Sequence, residues 1–153
     1  MNDSPITIAP PLAGDRDAWE SLYRGYAEFY KVPMTDRILG TVWGWIHDPA
    51  HEVDALVARQ GDGLVGLAHF RAFARPLRGA TGLFLDDLFV APAGRGAGTG
   101  DLLLAAVAGQ ARDRGLGLVR WITADDNYRA RGVYDRLATR THWVTYDMDP
   151  DGA

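Results

Sequence analysis

The stretch that most constrains the fold is residues 85–104, which read Leu-Asp-Asp-Leu-Phe-Val-Ala-Pro-Ala-Gly-Arg-Gly-Ala-Gly-Thr-Gly-Asp-Leu-Leu-Leu. This order predicts an apolar strand, a tight loop with four glycines and an amphipathic helix. Glycine tolerates positive φ and lets the backbone approach a ligand closely. The start of a helix offers unpaired N–H groups and the positive end of the helix dipole. The stretch therefore predicts an anion site, and a phosphate group fits it best.

The spacing of the glycines excludes two common phosphate motifs. A P-loop requires a lysine directly after its last glycine, and no lysine follows these glycines. The dinucleotide motif G-x-G-x-x-G also fails, because its last position falls on Thr99 when counted from Gly94 and on Asp101 when counted from Gly96. The pattern that remains is Arg-x-x-Gly-x-Gly, formed by Arg95, Gly98 and Gly100.

Apolar spacing and turn residues predict the order of elements along the chain. The order is strand, helix, helix, three strands, helix, strand, helix and strand. No linker, repeat or low-complexity segment divides it, so we expect one domain over residues 1–153. This order indicates an α/β or α+β architecture with helices covering a sheet. The predicted helices are residues 15–30, 35–46, 99–114 and 129–138, and the predicted strands are residues 6–8, 53–59, 64–73, 83–90, 118–123 and 143–148.

Charge and composition exclude several classes of function. The formal net charge is −4, which disfavours a nucleic-acid partner. No apolar run reaches the roughly 18 residues that cross a bilayer, so no membrane partner is expected. The chain has no cysteine, which excludes disulfides, thiolate metal sites and a cysteine nucleophile. Its four histidines show no metal-ligand spacing, so we expect no metal. A cytoplasmic location is the expectation.

The loop with Arg95, Gly98 and Gly100 resembles the pyrophosphate loop of the GNAT superfamily of acetyl-CoA-dependent N-acetyltransferases. The predicted element order is also that of the GNAT fold, so the resemblance covers nearly the whole domain and is best over residues 83–146. It implies a mixed, mostly antiparallel central sheet with helices on both faces. Acidic residues ahead of the apolar triplet in strand 83–90 make the polyamine- and histone-type acetyltransferases the nearest likeness.

The resemblance implies acetyl-CoA as the cofactor. The end of strand 83–90 is then expected to contact it through backbone groups, and the glycine loop is expected to hold its pyrophosphate. A later segment follows the family pattern N-x-x-A-x-x-φ-Y, where φ is apolar. The resemblance implies that its asparagine contacts the pantetheine arm or nearby backbone and that its tyrosine hydroxyl lies near the thioester sulfur. The implied cofactor-binding residues are Leu88, Phe89, Val90, Arg95, Gly96, Ala97, Gly98, Thr99, Gly100, Asn127 and Tyr134.

Acetyl transfer to an amine requires a group that takes up the amine's proton. A primary alkylamine has a pKa of about 10.4, so it arrives protonated at neutral pH. Asp86 and Asp87 are the candidate bases, and because neighbours in a strand point to opposite faces, we expect only one to line the cleft. The resemblance favours Asp86; the alternative is that both aspartates only pair with arginines. Tyr134 is the implied general acid, the alternative being a half-buried structural tyrosine.

Three residues of the first predicted helix are candidate contacts for the acceptor amine. Tyr26, Glu28 and Tyr30 combine aromatic rings with a carboxylate, which suits an alkylammonium group. The alternative is that the tyrosines belong to the core and that the glutamate is solvated.

These features predict an N-acetyltransferase that moves an acetyl group directly to a small primary amine in a ternary complex. A polyamine or an amino-acid-like amine is the preferred acceptor. The first alternative is a lysine of a peptide or protein. A cleft closed by the first two helices would favour the small amine, and an open groove would favour the lysine. The second alternative is a non-catalytic acetyl-CoA sensor. The resemblance also implies a possible homodimer.

Overall fold

The computed structural model describes residues 4–152, and the elements below are those of the described residues. They are β1 (Ile6–Ala9), α1 (Arg16–Tyr30), α2 (Asp36–Ile46), β2 (Val53–Gln60), β3 (Gly63–Arg75), β4 (Ala80–Val90), α3 (Thr99–Asp113), β5 (Val119–Arg120) and α4 (Tyr128–Leu137). Single 3-10 turns lie at Ala13–Asp15, Pro76–Arg78 and Pro92–Gly94. The four predicted helices and the first five predicted strands are confirmed.

The strands form one sheet in the order β1-β2-β3-β4-β5. The first three pairs are antiparallel, and the last pair is parallel over two register positions only. The sheet is therefore mixed and mostly antiparallel, as the resemblance implied. No helix among residues 4–152 has the length and apolar character needed to cross a bilayer.

Helices cover both faces of the sheet. On one face, Trp19 of α1 and Leu39 of α2 are fully buried against Leu67 of β3. On the other face, a Cβ on Gly66 would meet the Leu103 side chain of α3 at 3.1 Å. Because adjacent residues of a strand point to opposite faces, the positions 66 and 67 separate the two layers. Glycine at position 66 also allows α3 to approach β3 closely.

Local sequence explains where the helices of the first face begin and end. Thr35 caps α2, since its hydroxyl accepts a hydrogen bond from the N–H of Ile38 at 3.2 Å. Helix α1 ends where Lys31 takes the left-handed conformation, with φ of 56°. Pro33 follows two residues later and prevents the helix from continuing.

A β-bulge in β4 changes the direction of one aspartate. His69 of β3 pairs with Asp87, but Phe70 pairs with Leu85, so Asp86 is an extra residue without a register partner. A bulge breaks the strict alternation of side chains. Asp86 and Asp87 consequently line the same cleft. The expectation that only one of them does so is wrong, because it assumed a regular strand.

The described chain separates into two compact units, residues 4–122 and residues 123–152. The first contains the sheet and three helices, and the second contains α4. The strand predicted over residues 143–148 is wrong: no strand forms there, and Trp143 and Tyr146 are 87% and 90% exposed. An alternating pattern favours extended backbone, but a strand also requires a neighbour for its backbone groups. One domain over the whole chain stays a prediction.

Candidate active site

A cleft of about 400 Å³ lies in the first unit, on the face of the sheet that α1 and α2 cover. Both helices contribute to its wall, and three carboxylates lie in its lining. The lining residues are Tyr23, Val42, Trp45, His51, Glu52, Val53, His69, Arg71, Asp86 and Asp87.

A chain of hydrogen bonds crosses from α1 to β3 and β4 at the bottom of this cleft. The indole Nε1–H of Trp19 donates to Nε2 of His69 at 2.9 Å. The other ring nitrogen of His69, Nδ1, lies 2.8 Å from Oδ2 of Asp87. The hydroxyl of Tyr23 donates to the same oxygen at 2.7 Å. Two elements of the fold thus converge on one carboxylate.

The Asp87 carboxylate is held in its ionised form. Burial raises the pKa of Asp87, but hydrogen bonds from His69, Tyr23 and Tyr26 lower it and outweigh burial, so its pKa lies below its ordinary value. The Asp87 side chain is 19% exposed and borders the cleft. A buried anion that keeps its charge attracts a cation strongly, since little water screens it.

The Asp86 carboxylate has a different partner and a pKa shifted in the opposite direction from that of Asp87. Its partner is Arg71, whose Nε donates to Oδ2 at 3.0 Å and to Oδ1 at 3.3 Å. Burial raises the pKa of Asp86, and this effect exceeds the lowering by Arg71. The two adjacent aspartates therefore differ in basicity, which is the arrangement that separates a proton acceptor from a charge anchor.

Aromatic rings of α1 pack beside the hydrogen bonds that join Trp19, His69 and Asp87. The ring of Tyr23 meets the edge of the His69 ring with centroids 4.7 Å apart, and it stacks on Tyr26 at 6.0 Å. Burial, followed by the nearby Asp87 charge, raises the pKa of the Tyr23 phenol. Tyr23 therefore stays a phenol at neutral pH and can act as a donor.

The three residues expected to contact the acceptor lie outside the cleft lining. Tyr26 packs against Phe89 and contributes a hydrogen bond that lowers the pKa of Asp87. Tyr30 meets the edge of Tyr26 at 5.0 Å, and Glu28 is exposed. Contact of Tyr26, Glu28 and Tyr30 with the acceptor stays a prediction.

The glycine loop between β4 and α3 has the conformation that its sequence predicts. Gly96 and Gly98 have φ of 85° and 75°, the left-handed region that favours glycine. A Cβ added at either position would meet no atom within 4 Å, so the backbone faces open space. Helix α3 begins at Thr99, and the first N–H groups of a helix have no intrahelical acceptor. The loop fits a bound pyrophosphate group.

Two side chains of this loop have partners within the protein. The Arg95 side chain is exposed, and its Nε donates to the carbonyl oxygen of Val90 at 3.2 Å. The Thr99 hydroxyl donates to the carbonyl oxygen of Gly94 at 2.9 Å, and the residue is only 1% exposed. The proton of this hydroxyl therefore closes the turn, and contact of Thr99 with the cofactor stays a prediction. The N–H of Thr99 remains the candidate contact.

Strand β4 leaves the β4–β5 ladder before its last residues. The register pairs Phe84 with Arg120 and ends there, so β4 continues to Val90 with β3 as its strand neighbour among the described residues. Backbone groups of Leu88 and the N–H of Val90 that point away from β3 can then form hydrogen bonds with an extended ligand, whereas the Val90 carbonyl oxygen already accepts from Arg95. The side chain of Phe89 packs inward against Tyr26.

The second unit contains the two other predicted cofactor contacts. Asn127 is the N-cap residue of α4, and its side-chain amide donates to the Thr123 hydroxyl at 3.4 Å. Tyr134 lies in the last turns of α4 and is half-buried. Their roles toward the cofactor stay predictions. Among residues 4–152, no group of three or more histidines and carboxylates could hold a metal ion.

Sequence reasoning missed several residues of the cleft. Tyr23 was assigned only to the apolar face of the first helix, and for His69 a structural role was preferred over a place at the border of the site, although both are partners of Asp87. Trp45 of α2 and Glu52, which precedes β2, also line the cleft. Alternation along β3 could have placed His69 at the site, because His69 lies two residues after Leu67 and shares its inward face.

Comparison with known proteins identifies the family of this chain. The family model described as "Acetyltransferase (GNAT) family" matches residues 17–138. The D-amino-acid N-acetyltransferase HPA3 of Saccharomyces cerevisiae is 28% identical over 149 residues, which are 95% of this chain and 92% of that protein. The L-ornithine N5-acetyltransferase NATA1 of Arabidopsis thaliana is 39% identical over 59 residues, 39% of this chain and 26% of that protein.

Solved structures show the same fold. The aminoglycoside N-acetyltransferase AAC(6')-Iy in complex with CoA superposes with a TM-score of 0.82 at 18% identity, over 96% of both chains. The family model spans most of this chain, and enzymes of the family use acetyl-CoA. The chain therefore belongs to the GNAT family and is an acetyl-CoA-dependent N-acetyltransferase.

Proposed function

We propose that the acceptor of this enzyme is a small primary amine, either a polyamine or an amino-acid-like amine, and that the acetyl group moves directly in a ternary complex. The observation that carries the proposal is the cleft of about 400 Å³ walled by α1 and α2 and lined by Glu52, Asp86 and Asp87. The lining includes Tyr23 of α1 and Val42 and Trp45 of α2, and this contribution of both helices supports a compact acceptor over an extended peptide.

The charge of the cleft supports a cationic acceptor. Asp87 stays ionised, and Glu52 adds a second carboxylate, while the one arginine of the lining is paired with Asp86. An alkylammonium group is the cation that a primary amine presents at neutral pH. The Arg71 guanidinium uses Nε toward Asp86, so its terminal nitrogens can donate to a carboxylate on an amino-acid-like acceptor.

The relatives support the same class of acceptor. The printed names of HPA3 and NATA1 describe acetylation of D-amino acids and of L-ornithine, which are small amines. We retain the closer kinship with polyamine- and histone-type enzymes as part of the proposal, since it rests on the acidic residues of β4. The homodimer and the cytoplasmic location also stay predictions.

The two aspartates take different parts in the proposed reaction. Asp86, whose pKa burial raises, is the stronger base and accepts the proton that the acceptor nitrogen loses, directly or through water. Asp87 anchors the ammonium group before that step. Acetyl-CoA, when bound, supplies an acetyl group activated as a thioester. Tyr134 is the proposed donor of a proton to the leaving sulfur, on the basis of its sequence motif.

The end of β4 and the glycine loop are the proposed cofactor-binding elements of the first unit. Leu88 and Val90 offer backbone groups, and residues 96–100 offer the N–H groups at the start of α3. Arg95 adds an exposed positive charge beside them. Asn127 is the proposed contact of the second unit.

The experiment is an acceptor screen that measures CoA release from acetyl-CoA. The panel contains polyamines, D- and L-amino acids, ornithine and a lysine-containing peptide at equal concentrations. The proposal expects turnover with one or more of the small amines and little with the peptide. Preference for the peptide would establish the lysine alternative. Binding of acetyl-CoA without turnover on any member would support the sensor.

A further inference from the structure

We propose that His69 is a positioning residue, fixed by Trp19 in one tautomer, that holds the Asp87 carboxylate in place for the acceptor's ammonium group. The proposal rests on the proposed function, because it assigns a purpose to Asp87 at the same cleft. It adds two residues to the machinery of acceptor binding, one in β3 and one in α1.

Both ring nitrogens of His69 have a partner. The residue is 2% exposed, with Trp19 at Nε2 and Asp87 at Nδ1, at 2.9 and 2.8 Å. Trp19 is itself fully buried, and its ring lies against Trp43 and Tyr23 with centroids 5.1 and 5.4 Å apart. The imidazole therefore has one orientation that satisfies both of its nitrogens.

The chemistry of indole assigns the tautomer. An indole nitrogen carries a hydrogen and has no acceptor lone pair, so it can only donate. Nε2 of His69 must then present its lone pair to Trp19, and the ring hydrogen resides on Nδ1. That hydrogen points at Oδ2 of Asp87 and makes a bond to a charged acceptor. A hydrogen on Nε2 would face the indole hydrogen while the two nitrogens are only 2.9 Å apart, which is repulsive.

With this tautomer, His69 can hold the Asp87 carboxylate but cannot act as a general base. Its Nε2 lone pair is occupied, so the ring has no free base with which to take the acceptor's proton. Its Nδ1–H and the Tyr23 hydroxyl hold Oδ2 of Asp87 from β3 and from α1. A carboxylate held from two elements is preorganised and does not reorient when an ammonium group arrives.

The first arm of the test reads the tautomer directly and needs no turnover. Long-range ¹H–¹⁵N NMR spectra of the wild-type protein at pH 7.5 distinguish a protonated from an unprotonated ring nitrogen. The signals of His69, assigned by their loss in a His69→Gln sample, are expected to show hydrogen on Nδ1 and a lone pair on Nε2. Hydrogen on Nε2, with or without one on Nδ1, overturns the proposal.

The second arm compares two amides that mimic different ring nitrogens. His69→Asn places its amide near the position of Nδ1 and can still donate to Asp87, whereas His69→Gln places its amide near Nε2 and loses that donor. His69→Gln is expected to raise the KM for the acceptor about tenfold or more, because a hydrogen bond to the charged Asp87 carboxylate is lost. The KM for acetyl-CoA should stay unchanged. His69→Asn is expected to restore most of the acceptor affinity.

The two arms separate this proposal from the proposed function. Equal effects of Asn and Gln on both KM values, in variants with wild-type circular dichroism, would show that His69 only fills space and would overturn the positioning role. If the protein shows the expected tautomer but acetylates no amine, the proposed acceptor class is contradicted. The assignment of the His69 tautomer by its hydrogen bond to Trp19 would still hold.

Discussion

Asp87 and His69 face each other in the β3–β4 ladder and also share a side-chain hydrogen bond of 2.8 Å. The bulge residue Asp86 immediately precedes Asp87 and lines the same cleft. One irregular position in β4 thus places two carboxylates of different basicity side by side. The hypothesis that one binds the ammonium group and the other accepts a proton follows from this difference.

Replacing Asp86 should produce a loss of activity that depends on pH. Asp86→Asn removes the proposed base, so kcat/KM for the amine should fall about 100-fold or more at neutral pH. The loss should shrink as pH rises toward about 10, because more of the amine is then already deprotonated. The pH profiles of wild type and variant measure this. Asp62→Asn, in the exposed β2–β3 turn, is the control; a loss that is the same at every pH would mean a structural role.

The Asp15–Arg59 ion pair should make stability depend on pH independently of catalysis. The two side chains lie 2.6 Å apart, and the hydrogen bond from Arg59 lowers the pKa of Asp15. A lowered native pKa contributes stability above the unfolded pKa of about 3.9, which is lost as pH falls through the native pKa.

Asp15→Asn should therefore lower the free energy of unfolding by about 1 kcal/mol at pH 7. The difference from wild type should vanish in acid below both pKa values. Urea unfolding at several pH values measures it, again with Asp62→Asn beside it. A difference that persists unchanged at acid pH would show that the charge of Asp15 is not the cause.

The glycine loop should lose affinity for CoA when one of its left-handed positions receives a side chain. Gly98 has φ of 75°, and an L-residue in that region costs about 1–2 kcal/mol. Gly98→Ala should raise the Kd for CoA about tenfold, since the loop must shift to relieve this strain. Gly117→Ala is the matched control, because that exposed glycine has no atom near its Cβ position and no positive φ. Equal Kd values for both variants in calorimetry would remove the loop from cofactor binding.

Tyr134 can be tested within its own helix. If it is the general acid, Tyr134→Phe should lower kcat about 100-fold while the Kd for acetyl-CoA changes less than about twofold. Tyr128→Phe, an exposed position of the same α4, should leave both quantities unchanged. An unaltered kcat in Tyr134→Phe would exclude the tyrosine from the chemistry.

Local signals in the sequence predicted most of the fold. Apolar spacing located α1, the threonine cap located the start of α2, and the glycines located the turn into α3. Each of these features depends on residues close together in sequence. The segment 143–148 has an equally clear alternating pattern but no strand, because strand formation also depends on a neighbour that the pattern does not describe.

The site was less accessible to sequence reasoning than the fold. The aspartates were found through their place before an apolar triplet, but their common face depends on a bulge, which follows from the long-range register of β3 and β4. The partners of Asp87 are distant in the chain, since Tyr23 lies 64 residues and His69 lies 18 residues before it. Alternation and helical spacing put both in the core and gave no sign that their polar atoms meet one carboxylate.

The role of Asp87 as the anchor of a small amine is tested by the acceptor dependence of acetyl transfer in wild type and in Asp87→Asn. Steady-state rates would be compared for one small amine selected by the screen and for a lysine-containing peptide. Wild type should prefer the small amine, and Asp87→Asn should raise the KM for that amine about tenfold or more, with the KM for acetyl-CoA unchanged. A wild-type preference for the peptide, or an unchanged amine KM in Asp87→Asn, would contradict this role of Asp87.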